Sequence, residues 1–243
     1  MTAVSALLTL ADSRLPVGGH AHSGGVEQAI TIGVVTDAAT LVDFLDRRLH
    51  TAGPVAAALA AAASIAGAVV GAPTPGGFGQ HRQGGGPATA CRLAELDAEA
   101  DARTPSPALR TASRALGRGL TRLGKRAWPH PAWDTVPAAP HHPIAIGVAA
   151  AAAGVGPAGA AHVAAYLTIS GPATAAQRLL SLDPLAVAAM TASLCTEIDA
   201  VADRAGVDAA ALHSFSGLSA LSDPWFDLLA ETHASRKDRL FAS

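Results

Sequence analysis

With 243 residues, 50% of them hydrophobic and only 15% charged, the chain can bury one sizeable core, which excludes a disordered or fibrous protein. A formal net charge of −2 gives no general attraction to nucleic acid or to an anionic membrane, so any electrostatic recognition has to be local. Cys91 and Cys195 are the only cysteines and lie far apart, which argues against a disulfide framework or a cysteine zinc site and points to a reducing cytoplasm.

The opening MTAVSALLTLADSR has neither a basic n-region nor a long apolar core, so no secretory signal is expected. After it, Leu15-Pro16-Val17-Gly18-Gly19 reads as a turn. Pro fixes one dihedral and two glycines permit geometry closed to other residues, so the turn can shape a partner-binding surface or simply join two helices. Thr36 or Asp37 caps a helix that buries Leu41, Phe44, Leu45 and Leu49, and Gly53-Pro54 is expected to stop it. Residues 51–80 and 135–177 lack charge apart from histidine and are long enough to span a membrane. Alanine contributes little to insertion, so close-packed buried helices are expected instead. Residues 71–87, GAPTPGGFGQHRQGGGP, read as a flexible surface loop, because Gly and Pro defeat a helix on entropic and steric grounds.

Further on, Arg110, Arg114, Arg118, Arg122 and Arg126 recur every fourth residue, opposite Leu109, Leu116, Leu120 and Leu123. Residues 103–133 hold seven basic side chains and no acidic one. The stripe can dock an acidic protein or a phosphate backbone, serve as a solvated face weakened by Gly117, Gly119 and Gly124, or be neutralised by Glu95, Asp97, Glu99 and Asp101. Residues 128–143 contain five prolines and two tryptophans, an extended segment with rings to pack on the bundle. Asp183-Pro184 caps a core helix that Gly206 is expected to end, and Asp223-Pro224 caps the last one. The result is an all-α fold, a helical bundle spanning residues 1–243 as a single domain.

Chemistry-bearing patterns are weak. Gly154, Gly156 and Gly159 match G-x-G-x-x-G, but the segment before them is helical and Pro157 occupies the turn, so a helix–helix connection is expected. GLTRLGKR approaches a P-loop, yet Arg126 replaces the hydroxyl that would hold Mg²⁺. The pairs His20/His22 and His141/His142 are candidate nickel or zinc ligands without supporting acids or thiolates. Ser23 lacks a nucleophile elbow, and helix capping explains it more simply. No catalytic residue, cofactor or metal ligand is assigned. In the tail, SRKDRLFAS, Leu240 and Phe241 form an apolar anchor behind Arg236, Lys237 and Arg239. It is expected to order on binding a partner, the alternative being that both anchors fold back on the protein's own bundle.

Three segments together resemble one family. LLTLADSRLPVGGHAHSGGVEQAI, HHPIAIGVAAAAAGV with AHVAAYLTISGPATAAQRLLSLDPLAV, and DPWFDLLAETHASRKDRLFAS are similar, in this order, to the UreF family of urease accessory proteins. Departures are Val26 for a usual Leu, His20 for a frequent aromatic residue, Ala234 for a common Glu, and the loop at 71–87. The resemblance implies a non-catalytic helical scaffold that dimerises, binds the UreD/UreH-type accessory protein and recruits the GTPase UreG to the urease apoprotein for nickel insertion. It places partner binding on Pro16, Gly18, Gly19, His22, Ser23, Gly25, Glu27, His233, Arg236, Arg239, Leu240, Phe241 and Ser243. The competing readings are a helical nucleic-acid binder that uses the Arg110–Arg126 stripe and a histidine-based metalloprotein.

Overall fold

A computed structural model describes residues 3–12, 15–17, 22–71, 87–211 and 214–241. Gly18, Gly19, His20, Ser243 and most of the expected loop at 71–87 lie outside them. The described residues form ten α-helices and no β-strand: α1 (Ala3–Ala11), α2 (Val26–Thr31), α3 (Ala38–Ala68), α4 (Pro87–Ala102), α5 (Pro107–Ala127), α6 (His142–Ala152), α7 (Gly156–Leu179), α8 (Pro184–Ser193), α9 (Cys195–Ala211) and α10 (Pro224–Ser235). The fold is all-α, as the composition implies.

α3 is the hub. It packs on α6, α7 and α9, while α5 packs on α6 and α10, and α2 bridges α7 and α10. Asp37 starts α3 with a capping box: its carboxylate accepts from Thr40 N at 2.9 Å, and Thr40 Oγ1 accepts from Asp37 N at 3.1 Å. The helix does not stop at Gly53-Pro54 as its sequence suggests, but runs through Pro54 to Ala68. An interior proline costs roughly 3 kcal/mol and leaves the carbonyl four residues back without its donor. Here that residue is the exposed His50, where water can serve its carbonyl. The run beyond, from Val55 to Ala66, is buried almost throughout, and that burial offsets the proline.

Small residues set the helix spacing. A Cβ on Gly147 of α6 would overlap the Ala60 carbonyl and lie 2.6 Å from Ala63 Cβ, so the two backbones meet directly. α3 is long and apolar enough by composition to cross a membrane, yet 67% of its most apolar window is buried inside the protein. Most of the described residues of the uncharged, alanine-rich stretches are buried or half-buried.

The expected single helix from Pro184 is two, α8 and α9, bent by 43° at the buried Leu194. The bend keeps Val187 and Met190 on one side, and Ile198, Ala202 and Ala205 on the other, against the bundle. Gly206 lies inside α9 and ends nothing. The caps Asp183 and Asp223 are where the sequence puts them. Trp128 and Trp133 are buried on the bundle, as the proline-rich segment implies, with Trp133 Nε1 donating to Trp128 O at 2.9 Å.

The glycines of α5 are contact points rather than weaknesses. Gly117 lies under Pro140, Gly119 under Val17, and Gly124 under the Trp133 ring, each too close to admit a Cβ. The arginine stripe is split. Arg110 donates to Thr104 O and Pro105 O, and Arg114 pairs with Asp97 and Asp101 at 2.9 and 2.6 Å, so the acidic helix α4 consumes part of the stripe. Arg118, Arg122 and Arg126 stay exposed.

Candidate functional site

Glu27 is the centre of the site. Two left-handed glycines, Gly24 at φ +57° and Gly25 at φ +89°, turn the chain into α2, and Gly25 occupies its N-cap position. Ser23 is not the cap: its hydroxyl is buried and has no hydrogen-bond partner among the described residues, although its carbonyl accepts from Val26 N at 3.2 Å. Gly24 is held on α7, where a Cβ would lie 2.7 Å from Pro172 Cγ. This turn delivers Glu27, buried, to the side of α10 and the chain end.

One carboxylate there takes three donors. Glu27 Oε2 accepts from His233 Nε2 at 2.8 Å and from Phe241 N at 3.0 Å, and Oε1 accepts from Leu240 N at 2.7 Å. Burial pushes the Glu27 carboxyl up, but the Leu240 N–H, the His233 imidazole and the Phe241 N–H together outweigh it and hold the group below its usual range. An ionised acceptor requires the proton on Nε2 of His233, which fixes that contact as N–H to carboxylate. Arg236 adds a second tie, donating to Gln28 Oε1 at 3.2 Å and Thr31 Oγ1 at 2.6 Å on α2 while pairing with Asp238. Arg239 donates to Ala234 O at 3.3 Å.

The two tail anchors divide. Phe241 is 8% exposed and lies under the Arg178 guanidinium, 5.1 Å from ring centre to Cζ, whereas Leu240 is 78% exposed. Of the two anchors, Phe241 is inward and Leu240 outward. The alternative that both anchors fold back on the bundle describes Phe241 and not Leu240. Of the other sequence-picked residues, Pro16 is exposed, with Val17 beside it docked on Gly119, and His22 is half-buried near His142. His233 and Glu27 are both buried, and their hydrogen bonds hold the tail.

Sequence reasoning missed Gln28, Thr31 and Arg178. Arg178 lies within the second of the three segments, which marks its position but not the ring it covers. A second polar cluster was also missed. His141 contacts Ser113 Oγ through Nδ1 at 3.0 Å and Asp101 Oδ1 through Nε2 at 2.9 Å. The order Ser–His–Asp is that of a hydrolase relay, but the Ser113 oxygen already accepts from His142 N at 3.0 Å and Asp101 is shared with Arg114. The cluster binds α4 and α5 to the start of α6. Both ring nitrogens of His141 are occupied by it, and His142 is held to about 4 by burial, with His22 adding to the effect. No group of three or more His, Cys, Asp or Glu side chains set to hold a metal ion occurs among the described residues.

The UreF family model matches residues 35–195. The chain is 47% identical over 243 residues to the urease accessory protein UreF of Mycolicibacterium vanbaalenii, with 100% of both chains covered. It is 46% identical over 246 residues to that of Mycobacterium sp. (strain JLS) and 42% over 243 residues to that of Mycobacterium tuberculosis, again over 100% of each chain. Glu27 and the tail fall outside the matched model but inside all three full-length alignments. The chain belongs to the UreF family of urease accessory proteins.

Proposed function

We propose that the chain is a non-catalytic scaffold of urease maturation. It binds a UreD/UreH-type accessory protein through the joint of its two ends, recruits the GTPase UreG to the urease apoprotein, and so supports nickel insertion. It works as one unit over residues 1–243, as a homodimer in the cytoplasm, with no cofactor of its own and without nucleic acid or membrane as partner. One observation carries this reading: Glu27 fixes the chain end so that Phe241 is inside and Leu240 is presented outside. A pre-set anchor loses little conformational entropy on docking, which favours affinity.

On the resemblance, Pro16, Gly18, Gly19, Arg239 and Ser243 belong to the partner surface as well, together with His22, Ser23, Gly25, Glu27, His233, Arg236 and Phe241. Arg118, Arg122 and Arg126 offer a separate basic face for an acidic partner.

Co-purification of the Leu240→Asp variant with the UreD/UreH-type protein and UreG, followed by nickel analysis of the urease from the same cells, tests the proposal. We expect unchanged helicity and melting temperature, lost co-purification and nickel-poor, inactive urease. Normal co-purification and normal nickel content would overturn it. Light scattering of the purified chain tests the dimer, which a single species of 24.1 kDa at micromolar concentration would contradict.

A further inference from the structure

A cavity of about 590 Å³ lies between α3, α5, α6, α7 and α10, and its wall is mostly carbon, including Val55, Leu59, Ile146, Leu167, Phe226 and Phe241. Its volume falls in the range of roughly 300–1,000 Å³ usual for small-molecule sites. Arg48 of α3 lines it, and its presence there follows from a proline on the opposite wall. Pro172 in α7 has no N–H, so the carbonyl of Thr168, four residues back, loses its helical donor. Arg48 Nε supplies one instead, at 3.0 Å.

That bond uses one of five donors on the guanidinium. Among the described residues, Nη1 and Nη2 have no hydrogen-bond acceptor, and no carboxylate lies within ion-pair distance; the remaining partner is the Phe226 ring, 5.4 Å from Cζ. Burial depresses the group to about 10, so it still carries its charge at neutral pH. The acids on the same wall do not neutralise it. Asp223 is taken by Arg47 and Trp225 N, and Asp227 accepts from Ser106 N at 3.2 Å. A half-buried cation with an unpaired two-pronged donor edge and no carboxylate within ion-pair distance is a receptor for an anion.

We infer that this cavity binds a small apolar monocarboxylate, its head group on Nη1 and Nη2 of Arg48 and its hydrocarbon part against the carbon wall. One free guanidinium edge matches one carboxylate in charge and in planar geometry, whereas a dianion such as phosphate would carry surplus charge into an apolar chamber. The site goes beyond the scaffold role and does not depend on it, because no maturation partner takes part.

Isothermal titration of the full chain with octanoate, octanol and inorganic phosphate tests it. Octanoate should bind saturably at one site, about tenfold or more tighter than octanol, and phosphate should not bind. Arg48→Met should lower octanoate affinity about tenfold or more and leave octanol unchanged. Equal affinities for octanoate and octanol, absence of saturable octanoate binding, saturable phosphate binding, or octanoate binding that survives in Arg48→Met would each overturn the inference. Because Arg48 also serves the Thr168 carbonyl, the variant can lose stability. The comparison of the three ligands on the unaltered protein decides the matter without it.

Discussion

Where α3 and α6 meet, Gly147 lies against Ala60 and Ala63 and the contact is backbone on backbone. Where α2, α10 and the chain end meet, one buried carboxylate takes three hydrogen bonds. The first contact is steric and spread over many small residues, so any added volume is felt. The second is electrostatic and concentrated in Glu27, so removing one side chain should free a whole segment without disturbing the helices. A rigid interior and a joint centred on one carboxylate, with Arg236 as a second tie, let the chain end be presented in a fixed place on a stable body.

The largest effect should come from filling the steric contact. Gly147→Val should cost about 3 kcal/mol, or prevent folding, because the Ala60 carbonyl cannot move without shifting α3. Urea unfolding measures it, and a loss under about 1 kcal/mol would mean that α6 can slide on α3. Glu27→Ala should cost somewhat less, about 2–3 kcal/mol, since it removes three hydrogen bonds, releases the tail and leaves the buried His233 without its acceptor. The same urea series ranks the two.

Acid separates the two regions by pH. His142 sits below its unfolded value of about 6.5, so the stability it contributes is present above that pH and is lost as the pH falls toward its folded value of about 4. The slope is at most about 1.4 kcal/mol per pH unit. Glu27 is also held below its unfolded value, about 4.3, so its contribution persists above that pH and disappears only as the pH falls through the lower folded value. Melting temperatures should therefore begin to fall below pH 6.5 in the parent chain and less so in His142→Gln, while Glu27→Ala should remove the further drop below about pH 4. The smallest effect is Leu240→Asp, within about 0.5 kcal/mol in stability because the side chain touches solvent. Its consequence should appear only in partner binding.

Local chemistry was legible and long-range chemistry was not. Asp37, Asp183 and Asp223 announce their helices because a cap is decided within three or four residues. Pro54 misleads for the opposite reason: what carries α3 past it is burial against α6, α7 and α9, which no window around residue 54 contains. Gly117, Gly119 and Gly124 look like defects in a helix until Pro140, Val17 and Trp133 are seen lying on them. At the site, the resemblance brings Glu27 and His233 into one list of partner residues. Their hydrogen bond spans 206 positions, and nothing in either segment says that they bind each other rather than another protein. The split between Phe241 and Leu240 was equally hidden, since adjacent apolar residues at a chain end look alike until one finds the Arg178 guanidinium.

Amide hydrogen exchange at Leu240 and Phe241, compared between the parent chain and Glu27→Ala, tests the Glu27 joint most directly. In the parent chain both amides should be protected, because each donates to a buried carboxylate. In Glu27→Ala both should exchange as fast as an unstructured end while α3, α6 and α7 keep their protection. Unprotected tail amides in the parent chain, or tail protection that survives the loss of Glu27, would contradict the account.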